Sequence, residues 1–392
     1  MPHRSTAVAL AAWHRFRGQG PAFWADYGSA GTIVGQLTPR DCRDSLGSSG
    51  CGAPGIADGP PWSSGSVGWY GYEAGASFER MPTPIGPRLL PDAWWADIGD
   101  VVIFDSAGRP SFVRGKASFE PAALPPSESS LPVSIQEPDD DGFLDGVRAI
   151  LGHLRRGDVY QVNLSRRVVA RGRLDPLRTW LRLLLGNRAR RAVFIDTGAG
   201  AVVSNSPEML LRARGSRVLT VPIKGTSAGT DAREGLLTSA KEKAELLMIV
   251  DLVRSDLGRV AEPGTVLTGG RRVGRVGHLW HAMRRVEATL APGKDAWDAF
   301  SALFPAGSVT GAPRVAAMEI IRALEPCPRG VYCGTVGWFG ERAADLNVAI
   351  RTISFLGDEA HVQTGSGIVL ASDPARELAE AKLKAERLLA AL

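Results

Sequence analysis

The chain has 392 residues, 44% of them hydrophobic, with 46 Lys+Arg against 41 Asp+Glu for a formal charge of +5. That length can bury one large core or two, no apolar run approaches the length of a membrane span, and the start does not read as a signal peptide because its apolar stretch breaks at Trp13-His14-Arg15. The pI of about 9.2 follows from an arginine- and alanine-rich composition; the arginines clustered between Arg166 and Arg191 alternate with Val, Leu and Trp as on solvated faces of amphipathic elements, and no nucleic-acid motif accompanies them. The four cysteines (Cys42, Cys51, Cys327, Cys333) fit neither a disulfide framework nor paired zinc ligands, so a reduced, cytoplasmic protein is expected.

In chain order, residues 1 to about 118 read as strands and loops, with strands at Val67–Tyr72 and Val101–Asp105 and a Gly/Ser-rich mobile loop at Asp44–Pro61. Ala122–Asp141, rich in Pro, Ser and acid, reads as a linker, and its terminal aspartates start a helix over Gly142–Arg156. Then come a strand-like Asp158–Ser165, a helix at Arg178–Leu185, and strands at Phe194–Asp196, Val202–Asn205, Met209–Arg212 and Val218–Ile223. Helices follow at Ser239–Val260, Asp295–Phe304 and Arg314–Leu324, and strands at Val331–Phe339, Leu346–Phe355 and His361–Leu370. A closing helix spans Asp373–Leu392, with Asp373 as cap and Pro374 first. The fold class is α+β, a large layered domain. Residues 1–121 are expected to form a β-rich part, 122–141 a linker and 142–392 the part that holds the candidate site residues, intertwined as one domain.

Several residues have the makings of a site. Lys224 is the single lysine in Val221-Pro222-Ile223-Lys224-Gly225-Thr226; an edge lysine reaching to water would look the same, but a desolvated one loses its charge and becomes a nucleophile. Glu242 and Glu245 share a helix face, as do Glu377 and Glu380, with Lys384 one turn on. Facing each other, the two pairs would suit a hard divalent cation; alone, they read as solvated faces with ordinary ion pairs. Gly365–Val369 and Phe304–Arg314 read as small-residue loops whose backbone N–H groups can hold anions. Arg351, on the strand Ile350-Arg351-Thr352, could clamp a carboxylate. Either His278 or His281 could be a core histidine. Glu208, after the turn Ser204-Asn205-Ser206-Pro207, could be a general acid.

Taken together, the blocks GDVYQVNLSRR, SNSPEML, VPIKGT, KEKAELLMIVDLVRSDLGRV, FPAGSVTGAPRVAAMEII, GTVGW, LNVAIRT and TGSGIV resemble the chorismate-utilising enzymes: component I of anthranilate synthase and of aminodeoxychorismate synthase, and the isochorismate and salicylate synthases. The resemblance is dense over about residues 140–392. It implies a sandwich of mostly antiparallel sheets with helices packed outside. It also implies Mg²⁺ on Glu245 and Glu380, with Glu242 and Glu377 binding directly or through water, the metal holding the ring carboxylate of chorismate. Arg351, Tyr332 and the backbone of Gly367 would take the enolpyruvyl carboxylate. Ser308, Lys384, Thr226, Gly365 and Gln161 would complete the substrate site. Glu208 would protonate the departing C4 hydroxyl, and His281 would lie beside the ring.

Within the family, the lysine form at Lys224 is similar to aminodeoxychorismate synthase, where anthranilate and isochorismate synthases carry a small residue. Gln161 agrees, since synthases that add water at C2 place a lysine base there. The resemblance then implies lysine attack at C2 and amination at C4. No Gly-x-Cys-x-Gly nucleophile elbow is present, so ammonia is expected from a glutamine amidotransferase subunit, component II, or from free ammonium. Two departures from the family blocks stand out: Ser255 replaces the usual asparagine, and His278–Met283 differs around its histidines.

Overall fold

The computed structural model describes residues 2–27, 31–39, 61–83, 86–115, 133–186, 189, 191–227, 229, 232–276 and 279–392. Residues 44–60 of the expected loop Asp44–Pro61, Cys42, Cys51 and His278 lie outside these residues. So does the first half of the expected linker. Its second half is structured: Val133–Gln136 pairs with the edge of Gln161–Gly172, and Asp139 caps the helix Asp140–Arg156 by accepting from the N–H groups of Asp141 and Gly142.

Strand pairing is antiparallel throughout, and one ladder continues into the next. From Val286–Thr289 it passes through Arg217–Val221, Met209–Arg214, Ala343–Val348 and Thr335–Gly340 to Ser66–Tyr70 and the long Ala93–Phe104. It continues through Thr32–Pro39, Ala22–Asp26, Arg191–Asp196, Gly200–Ser206, Thr352–Leu356 and Glu359–Ile368 to Gln161–Gly172. Strands from the N-terminal region are therefore interior to the ladder. Ala93–Phe104 joins two halves: its first residues pair with Ser66–Tyr70 and its later ones with Thr32–Pro39.

The two halves face each other. Alternate residues show it: Val193, Ile195 and Val202 pack with Val67, Trp69 and Val336 in an inner core, whereas Ala192, Phe194, Ala201 and Val203 point outward against helices. Both faces of these strands are covered, so they read as apolar runs rather than as alternating patterns. Outside one half lie the helices Ala240–Gly258, Ala296–Leu303 and Arg314–Leu324, which contribute Leu246, Phe300 and Met318 to their shared core. Outside the other lie Pro176–Gly186, Pro374–Leu389 and the N-terminal helix Pro2–Arg17. This last helix corrects the reading of strands and loops there. Ala9, Ala12, Trp13 and Phe16 are buried at helical spacing. No described helix is long and apolar enough to cross a membrane.

Two features position the site. At Pro222 the chain leaves the large ladder and starts a separate three-stranded sheet, Ile223–Ser227 with Leu279–Met283 and Arg272–Val276. A proline, which has no N–H to donate, suits that break. Twice, side by side, the chain also steps from one half of the sandwich to the other. One step lies between Ser206 and Met209, the other between Val348 and Thr352. The Val348 N–H donates to the Glu208 carbonyl at 3.1 Å, and the Asn205 N–H to the Arg351 carbonyl at 3.0 Å. Arg351 is therefore not on a strand, as expected, but in a crossover with φ +51°. Gly365–Gly367, expected as a loop, lies within the strand Glu359–Ile368, opposite Asn163–Ser165.

Candidate active site

The crossovers, the small sheet and two helices enclose a cleft of about 160 Å³, room for on the order of ten waters or one small ring compound. The helix Ala240–Gly258, capped by Ser239, contributes Glu242 and Glu245; the helix Pro374–Leu389, capped by Asp373, contributes Glu377, Glu380 and Lys384. The small sheet brings Lys224 and His281, the crossovers Glu208 and Arg351, and the loop after Leu303 brings Ser308. Tyr332, Gly365 and Gly367 complete the expected set. Of the other expected residues, the side chain of Thr226 lies outside the described residues, and Gln161 is fully buried just behind the wall.

Close approach explains two glycines. Gly225 has φ +68° beside a bulge, and a Cβ there would sit 2.5 Å from Glu242 Oε2. A Cβ on Gly367 would come within 3.2 Å of Lys224 Nζ and 3.4 Å of the Gln161 amide. Glycine at 367 thus leaves room for the lysine end.

The charged groups are perturbed in ways that follow from enclosure. Lys224 opens to the cleft on one side and is walled by protein on the others. Desolvation pushes its pKa below the ordinary value, against the opposing pull of Glu245 and Glu208. Its ammonium makes a long contact, 3.3 Å, to the Ser308 carbonyl. Glu208 is 4% exposed. Burial raises its pKa to about 7, although the Ser308 hydroxyl, Lys224 and the Ile223 backbone favour its anion. Burial keeps the Tyr332 phenol protonated, its pKa well above the usual value. Arg351 drops to about 10 through desolvation and stays charged at neutral pH.

His281 has a fixed tautomer. Nδ1 lies 3.1 Å from the Gly225 carbonyl, which can only accept, and Nε2 lies 3.0 Å from Arg351 Nη2, which can only donate. Nδ1 therefore carries the proton and Nε2 the lone pair, so the neutral ring holds Arg351 in place. At the acidic edge, Lys384 Nζ sits 2.6 Å from Glu380 Oε1 and 2.9 Å from the Gly365 carbonyl. Among the described residues, no three His, Cys, Asp or Glu side chains are grouped closely enough to hold a metal ion.

A cleft of this size and polarity fits a small anionic ring compound, and comparison with known proteins identifies the class. A sequence model of the chorismate binding enzyme family matches residues 41–390. The chain belongs to that family. Anthranilate synthase component 1 of Streptomyces coelicolor is 36% identical over 392 aligned residues, 89% of this chain and 76% of that protein. Aminodeoxychorismate synthase component 1 of Klebsiella aerogenes is 35% identical, covering 84% of this chain and 77% of that one. The crystal structure of anthranilate synthase component I from Streptococcus pneumoniae superposes with a TM-score of 0.75 at 27% identity, over 94% of this chain and 90% of that one. Relatives of both activities thus stand at similar distance.

This chorismate-binding enzyme also lines its cleft with residues that sequence reasoning passed over: Asn163, Pro207, Val309, Ile350 and Thr364. Asn163 and Thr364 carried a signal, each being a polar residue on an otherwise buried strand. Pro207, Val309 and Ile350 carried none. Ser255, the departure from the family block, is exposed on the outer face of its helix.

Proposed function

We propose that the chain is component I of an aminodeoxychorismate synthase, converting chorismate and ammonia to 4-amino-4-deoxychorismate and water. The observation that carries this reading is Lys224: a single desolvated amine in the cleft wall, with a buried carboxyl of raised pKa lining the same cleft. In the proposed reaction the neutral amine adds at C2 of the ring while the C4 hydroxyl departs. Glu208, protonated up to about pH 7, gives that hydroxyl its proton and releases it as water. Ammonia then adds at C4 and expels the lysine from C2, regenerating the free amine once a proton is lost. Arg351, braced by neutral His281, offers a planar fork to a carboxylate, and Tyr332 a hydroxyl donor.

Mg²⁺ fits the oxygen-only acidic edge. It needs only one or two protein carboxylates, with water and an anionic substrate filling its remaining positions, and Glu245 and Glu380 are the pair of choice, supported by Glu242 and Glu377. When bound, the ion would neutralise and orient the ring carboxylate. Ammonia would come from a glutamine amidotransferase subunit or from free ammonium.

The test is the product formed from chorismate, Mg²⁺ and ammonium. Wild type is expected to give aminodeoxychorismate, and Lys224→Ala to slow it by on the order of 10²-fold or more. Anthranilate from the wild type would overturn the choice of branch and leave the family standing.

A further inference from the structure

Asn163 carries more than its place in the ladder. It is 7% exposed, and its backbone is committed on both sides: its N–H donates to the Thr310 carbonyl at 2.8 Å, and its carbonyl accepts from Arg329 Nη2 at 2.7 Å. Its side-chain Nδ2, by contrast, has no hydrogen-bond partner among the described residues, and the residue lines the cleft. A buried donor left without an acceptor costs stability, so one held on a rigid strand at a ligand cleft suggests that the acceptor arrives with the ligand. The unpartnered indole N–H groups of Trp24, Trp62 and Trp180, by contrast, belong to apolar cores away from the cleft.

The register says what Asn163 faces. It is paired directly with Gly367, and opposed residues of an antiparallel ladder project to the same face. On that face the position of a Gly367 Cβ lies 3.2 Å from Lys224 Nζ. The free donor therefore stands on the face that carries the end of the lysine.

We propose that Asn163 is a substrate-binding residue, donating through Nδ2 to a hydroxyl or carboxylate oxygen of the ring substrate next to the carbon that Lys224 approaches. This assignment rests on the reading of the cleft as a chorismate site. It makes the amide a selector for an oxygen substituent at that position, because an analogue without the acceptor leaves the buried donor unpaired.

The test compares wild type, Asn163→Leu and the isosteric Asn163→Asp by calorimetric titration with chorismate in the presence of Mg²⁺, together with the melting temperature of each ligand-free protein. The expected result is a split. Asn163→Leu removes an unsatisfied polar group, so it should melt at or above the wild-type temperature while binding chorismate about tenfold or more weakly. Asn163→Asp, whose carboxylate only accepts, should also bind more weakly. Wild-type affinity within twofold in either variant would overturn the assignment. So would a lowered melting temperature in Asn163→Leu with unchanged affinity in Asn163→Asp, the mark of a structural amide. A wild type that binds no chorismate would sink the reading of the cleft as well.

Discussion

Two buried polar clusters lie back to back in this protein, and they are built on opposite principles. Behind the cleft wall, Arg329 is 3% exposed and makes four hydrogen bonds: two to Glu325 at 2.9 and 2.6 Å, one to the Val309 carbonyl and one to the Asn163 carbonyl, both at 2.7 Å. Its guanidinium also lies over the Tyr72 ring at 4.6 Å. Glu325 accepts in addition from the N–H and hydroxyl of Ser165 at 2.8 Å, and Glu73 from the N–H groups of Arg329 and Gly330. Burial opposes the charge on Arg329, but Glu325, with smaller contributions from Cys333 and Tyr72, holds the pKa well above the usual value. In front of the wall, among the described residues, Lys224 makes one long contact and Asn163 Nδ2 none. The satisfied cluster fixes where the wall stands, since its acceptors Val309 and Asn163 are cleft residues. The unsatisfied one leaves hydrogen bonds for a ligand to make. Burial alone does not separate structure from function here; incomplete pairing at the cleft does.

The sharpest way to break this contrast is to unpair the rear cluster. Arg329→Met leaves Glu325 charged, buried and short of its main partner, and the expected loss is about 3–5 kcal/mol of stability in urea denaturation. Adding Glu325→Met should recover much of it, since a buried pair exchanged for apolar side chains is often close to neutral. A loss under about 1 kcal/mol for the single variant would show that the cluster does not hold the wall.

The front of the wall should respond in the reverse sense. Glu208→Gln is expected to lower the rate of product formation by about 10²–10⁴-fold with no loss of stability. The sign follows from linkage. The folded pKa of Glu208 is raised from the ordinary 4.5 to about 7, so its contribution to stability is complete below the unfolded value and fades as pH rises through about 7. Wild type should therefore lose stability relative to Glu208→Gln across that window. Activity has its own limbs, falling as Glu208 deprotonates above about pH 7 and rising as Lys224 loses its proton below the usual lysine range. Glu208→Gln should abolish the falling limb of the pH–rate profile. A limb that persists in the variant would assign the proton to another group.

Much of this arrangement was legible in the sequence, and the failures have identifiable causes. Pro222, Lys224 and Gly225 announced themselves through local chemistry: a strand end, an isolated amine and a close approach. The two glutamate pairs followed from helical spacing, although only the fold brings them to one cleft. Arg351 misled because Leu346–Phe355 has no proline or glycine to mark the break at Ala349–Arg351; the crossover is imposed by the sheet halves on either side. Gly365 and Gly367 misled in the opposite direction. Their density suggests a turn, but they sit in a paired strand, where at 367 the side chain is absent because Lys224 fills its place. The N-terminal helix was written in the spacing of Ala9, Ala12, Trp13 and Phe16 but lacked a cap or acidic first turn.

The smallest expected effect tests whether the acidic edge belongs with the unsatisfied cluster. Lys384 already places a cation on Glu380, so this edge is partly neutralised from within, unlike the donors around Lys224. The proposed Mg²⁺ site needs the same carboxylate, and the two cations should compete for it. The ion pair is not deeply buried, with side chains 24% and 46% exposed, so its worth is limited to about 0.2–1 kcal/mol. Lys384→Met keeps the length of the side chain and removes the charge. Calorimetric titration with Mg²⁺ in the absence of chorismate should then show affinity about two- to fivefold tighter than wild type. Affinity unchanged or weaker would mean that Lys384 and the metal do not share Glu380, and that the lysine closes this edge in the way Glu325 closes the rear cluster.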